Sequence, residues 1–81
     1  MLALATAPAH RALVARNDRV HDHELYLLMT PEGRPAWVND PETATPFETL
    51  REATRMATRL PASAQAYGVP LDAQLMAHVA H

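Results

Sequence analysis

The chain lacks cysteine, isoleucine and lysine altogether, and its 81 residues include one serine, one tryptophan, one phenylalanine and two glycines. Each shortage removes a class of chemistry. Without cysteine there is no disulfide staple, no thiolate nucleophile and no thiolate metal site. The two glycines, Gly33 and Gly68, stand far apart, so no glycine-rich loop can cradle a phosphate. Ser63 is the sole serine, and the carboxylates are scattered with no pair at a spacing that suits acid–base work. Catalysis is therefore not expected.

Large apolar side chains are also scarce. Leu, Val and Phe together make just under a fifth of the chain, and sixteen of the residues counted as hydrophobic are Ala. That approaches the composition of disordered chains, but a net charge of −2 is too small to complete the signature. So thin a core predicts that extra buried surface comes from self-association. All seven basic residues are Arg, which together with the alanine content reads as a GC-rich bacterial coding bias. No window reaches the roughly 18 apolar residues that a membrane span needs. The opening Met1–Ala9 is apolar but lacks a basic leader and a Leu-rich centre. The expectation is a cytoplasmic protein with no membrane association, forming one domain over residues 1–81 with residues 1–8 disordered.

What the chain does contain is one well-specified helix, predicted from Thr45 to Leu60. Thr45 is placed to cap it, Pro46 suits its first position, and Glu48 completes a capping box. Pro61 ends it by forcing Leu60 out of the helical region. Phe47, Leu50, Ala53, Met56, Ala57 and Leu60 share one side, and Glu48, Arg51, Glu52, Arg55 and Arg59 share the other. The pairs Glu48–Arg51 and Glu52–Arg55 stand three residues apart, close enough to interact.

Before this helix, Pro8 opens a predicted N-terminal helix over Ala9–Arg19, and Val20–His23 is a connector. Glu24–Thr30 alternates as a strand with apolar residues on both faces, and so belongs inside a sheet. Thr30-Pro31-Glu32-Gly33 suits a type I turn. Pro35–Asn39 returns as a second strand that Pro35 confines to an edge. After the helix, Ala66–Val69 reads as a third strand and Ala73–His81 as a closing helix capped by Asp72.

These elements predict a small α+β domain: an antiparallel three-stranded sheet, ββαβ in order 2-1-3, with the long helix on one face and short helices at both termini. One helix covers one face. The rear face, bearing Tyr26 and Leu28, needs a second cover from a terminal helix or a second copy of the chain, which makes a homodimer interface the sharpest expectation.

Three clusters remain as candidate sites. Arg51, Arg55 and Arg59 form an i, i+4, i+8 row suited to carboxylates or phosphates, although the net acidic chain lacks the basic excess that duplex binding needs. Trp37, on the edge strand, is a candidate interface anchor. His21 and His23 share a face in extended chain, as do His78 and His81 on a helix, with Asp22 or Glu24 nearby. Scattered surface histidine is the simpler reading, and no metal or cofactor is expected. The reading of the whole is a non-catalytic interaction module (an adaptor, inhibitor or regulator) that pairs with itself and with an unknown protein. Its alternative is a nucleic-acid-associated regulator using the Arg51/Arg55/Arg59 face.

Overall fold

A computed structural model describes residues 11–79; the expectations for residues 1–8 and for His81 lie outside them. The architecture is α+β, an antiparallel sheet with two helices, but the sheet has four strands in the order β3-β2-β1-β4. They are β1 (Ala12–Asp18), β2 (His23–Met29), β3 (Pro35–Val38) and β4 (Tyr67–Pro70). The helices are α1 (Leu50–Arg59) and α2 (Leu71–Val79), with a short 3-10 turn at Ala62–Ala64.

The three-stranded order is corrected by one element. The segment expected to be an N-terminal helix is β1, and it lies between β2 and β4. Alanine favours helices, which is why Ala12-Leu13-Val14-Ala15 misleads. All four of those residues are buried, and a strand covered on both faces reads as an unbroken apolar run with no alternation to betray it. The connector after it is a hairpin loop. Asp18 Oδ1 accepts from the Val20 and His21 amides, the Asp18 carbonyl accepts from the Asp22 amide at 2.7 Å, and Asp22 takes a left-handed φ of 57°.

The β2–β3 hairpin turns as expected. The Gly33 amide donates to the Thr30 carbonyl, Gly33 has φ 82°, and the Thr30 amide donates to the Arg34 carbonyl. This is a type I turn closed by a left-handed glycine. Pro35 lies on an outer strand, as its missing N–H requires.

The long helix starts later than Thr45. Its N-cap is Thr49, whose hydroxyl accepts from the Glu52 amide at 3.1 Å. Thr45–Phe47 instead enters the sheet. The β1–β2 pairing stops at Ala15 opposite Tyr26, and beyond it the strands part. Phe47 exchanges both backbone hydrogen bonds with Ala12, the Thr45 amide donates to the Leu27 carbonyl, and Thr45 Oγ1 accepts from the Met29 amide. Backbone groups committed in this way cannot also turn a helix. The other end is as expected: Leu60 is extended before Pro61.

Two apolar layers result. On one face Ala53 and Ala57 of α1 pack against Ala12, Val14 and Leu27, with Trp37 and Phe47 at the margin. On the other face Leu13, Ala15, Tyr26 and Val69 pack beneath Ala44 and Leu71. Pro41 is fully buried, and Tyr26 donates a hydrogen bond to Gln74 Oε1 on α2 at 2.7 Å. The rear face, expected to need a second cover from a terminal helix or a second copy of the chain, is thus covered by the chain's own 41–44 loop and α2. No helix among the described residues is long and apolar enough to cross a membrane.

Candidate interaction face on helix α1

The arginine row sits where its periodicity places it. Arg51, Arg55 and Arg59 are all exposed on α1. The expected pairs Glu48–Arg51 and Glu52–Arg55 do not form: among the described residues the one contact between a carboxylate and a basic side chain within bridging distance is the Asp18–His21 hydrogen bond. Three guanidinium groups therefore stand along one helix without a carboxylate within bridging distance. Each retains its five donors for an incoming acid.

The row also divides. Arg51 and Arg55 line a shallow depression of about 440 Å³ with Leu50, Thr54 and Thr58, while Arg59 does not. Leu50, expected in the core, is 46% exposed and forms an apolar wall of this depression. The cause lies beneath it. Gly68 on β4 has no side chain, and a Cβ there would stand 2.8 Å from Thr54 Oγ1, 3.1 Å from Leu50 Cδ1 and 3.2 Å from the Thr54 amide nitrogen. Glycine on the strand, with Ala53 and Ala57 on the helix, lets the two backbones approach closely. Leu50 is left at the rim instead of between them. Helical spacing alone put Leu50 on the buried side; the missed signal was Gly68.

The other expected site residues are dispersed. Tyr26 is 6% exposed, inside the rear layer. Leu28 is half-buried. Trp37 is half-buried against the α1-side layer, with the Arg16 guanidinium carbon 5.3 Å from its ring centroid. That cation–π contact takes up the ring face. Arg16 Nε is buried there without a hydrogen-bond partner.

The histidines do not converge. His21 Nδ1 donates to Asp18 Oδ2 at 2.7 Å, and this bond holds the Asp18 carboxyl below its usual range. The His23 ring lies tilted to the His21 ring with centroids 5.8 Å apart, and its Nδ1 stands 3.2 Å from the His21 carbonyl. The His78 side chain and His81 lie outside the described residues, and among those described no group of three or more His, Asp or Glu could hold a metal ion.

An open polar groove of about 740 Å³ lies at the hairpin end of the rear face, between Asp22, Glu24, Asn39, Asp40 and Gln74. Its floor is occupied internally. The Tyr67 hydroxyl donates to Glu24 Oε2, and burial, then this hydrogen bond, push the Tyr67 phenol up to about 12. Burial also raises Tyr26, with the Glu24 charge adding to it. No serine or threonine lines the groove, and the single serine, Ser63, is in the 3-10 turn. No family model matches the chain, and no curated protein or solved structure is significantly similar to it.

Proposed function

We propose that this protein is a non-catalytic interaction module whose contact surface is the outer face of α1. In this reading Arg51 and Arg55 receive carboxylates of a protein partner, and the depression beside Leu50 receives an apolar side chain. The supporting observation is the unpaired state of the arginine row in a helix that itself carries Glu52, with Glu48 one residue before its cap. A helix that satisfies its own charges has little to offer an anion; this one keeps its cations free and sets an exposed leucine beside them. Bidentate guanidinium–carboxylate pairing around a small apolar centre is a common anatomy for a modest protein interface.

The partner is read as a different protein. An uncovered rear face would favour self-association, but the 41–44 loop and α2 lie over it. The nucleic-acid alternative uses the same arginines, but a chain of net charge −2 with acids beside the row favours discrete carboxylates over a phosphate track.

Polyglutamate and a short DNA duplex, titrated separately while the α1 amide resonances are followed, separate the readings. The expected result is that polyglutamate shifts α1 and that the double variant Arg51→Glu/Arg55→Glu weakens it about tenfold or more. Arg34→Glu, a remote exposed arginine, serves as the control. Tighter binding of the duplex at equal salt would favour the alternative. Equal loss in both variants would sink the assignment to α1. Sedimentation at several concentrations reports self-association directly.

A further inference from the structure

We propose that the partner binds as an extended acidic segment laid antiparallel along the free edge of β4, with its side chains reaching the α1 depression; this deepens, and rests on, the reading of α1 given above.

The sheet has two outer strands, β3 and β4, and hydrogen-bond alternation says what each offers. Ala12 turns its backbone groups toward Phe47, and the Arg11 carbonyl accepts from Leu71 on the opposite side. Leu13 and its partner Val69 therefore face each other, and Gly68 faces outward. The Gly68 N–H and C=O have no hydrogen-bond partner among the described residues. Pro70, also outward, has no N–H to offer. On β2, Leu27 and Met29 turn toward Thr45, so on β3 it is Pro35 and Trp37 that face outward. Each edge thus keeps a proline at an outward position, a device that shortens the ladder an unrelated strand could form.

The two edges differ in what stands beside them. α1 packs on β1 and β4, and Gly68 brings Leu50 and Thr54 to the margin of β4. An edge strand with a helix alongside is the arrangement that accepts an added peptide strand, main chain for affinity and alternate side chains for specificity. A residue paired with Gly68 would point its side chain to the α1 side, toward Leu50. Residues two before and two after it lie about 7 Å away on that same side. Arg51 and Arg55, four residues apart on a helix, are separated by about 6 Å. Adjacent same-side positions of the segment, about 7 Å apart, are the ones that match the arginine spacing, which calls for two acids at alternate positions to one side of the apolar residue, apolar-x-acidic-x-acidic or its reverse. A single closed pair of hydrogen bonds at Gly68 is a short anchor, so the unpaired arginines are what select a negatively charged segment.

The probe is the peptide Thr-Glu-Thr-Glu-Thr-Leu-Thr-Glu-Thr-Glu-Thr, which carries an alternate-position acid pair on either side of the central Leu, in three forms: unmodified, N-methylated on the central Leu, and N-methylated on the following Thr. Only the Leu amide is used in the proposed pairing. The expected result is that methylation of Leu weakens binding about tenfold, that methylation of Thr changes it less than about twofold, and that the Gly68 amide becomes protected from solvent exchange. Equal binding of the two methylated forms, with loss in Arg51→Glu/Arg55→Glu, would overturn the edge placement and leave the α1 reading standing. Failure of the peptides while polyglutamate still shifts α1 would do the same. Failure of both probes removes both proposals. Protection of Gly68 in a peptide-free dimer would overturn the peptide placement and give the edge to a second copy.

Discussion

Thr45 and Thr49 are each followed three residues later by a glutamate, so the chain carries two consecutive capping boxes. Local chemistry cannot choose between them. The choice is made from outside, because the backbone at Thr45 and Phe47 is claimed by β2 and β1. The two threonines should therefore fail differently. Thr49→Ala removes a helix cap and should cost about 1 kcal/mol. Thr45→Ala strips the Met29 amide of its acceptor inside the sheet and should cost about 1–3 kcal/mol, with exchange protection lost at Met29 and not at Glu52. Chemical denaturation with amide exchange checks both. Tyr67 supplies a second test at this scale. Its phenol is raised from 10.0 to about 12, chiefly by burial. A raised acid favours its protonated form in the native state, so this contribution is complete below pH 10 and is lost as pH climbs toward 12. Tyr67→Phe should flatten the alkaline fall in stability across that window, as followed by thermal melts at stepped pH.

Among the elements, those with a local signature were legible and those defined by partners were not. Pro35 placed β3 at an edge, Gly33 and Pro31 specified the turn, and Pro61 stopped the helix, because proline and glycine act through their own dihedral angles. β1 carried no such mark. A central strand takes its identity from neighbours on both sides, and an alanine-rich one looks like a helix until they are known. For the candidate site, the exposure of the arginines was readable from helical period, whereas the displacement of Leu50 depended on a glycine in another element. That contact predicts a measurable coupling. Gly68→Ala should destabilise by about 1–3 kcal/mol by crowding Thr54. Thr54→Ala should restore part of that loss, since Oγ1 is the closest obstacle and the helix backbone the next. A double-mutant cycle in urea reads the coupling.

For the whole molecule, the decisive fact is that a chain with so few large apolar residues covers both faces of its sheet by itself. The rear cover is made of small pieces, Pro41, Ala44, Leu71 and the Tyr26–Gln74 hydrogen bond, and α2 leaves Met76 73% exposed on its outer side. Truncation after Pro70 should uncover Leu13, Ala15 and Tyr26. Expected consequences are concentration-dependent association by sedimentation and a lower midpoint of melting, while the full 81-residue chain remains monomeric at the same concentrations.

The seam between β1 and β2 carries one more implication, for the order of assembly. A hairpin normally zips shut on its own, but here its open end is laced by residues that emerge only after β3 has been made. The first hairpin must wait for later chain before its last rungs have anything to bond, which ties early and late parts of the polypeptide into one cooperative event. Exchange near the Ala12–Phe47 bridge should then track global unfolding, with no smaller opening available to it.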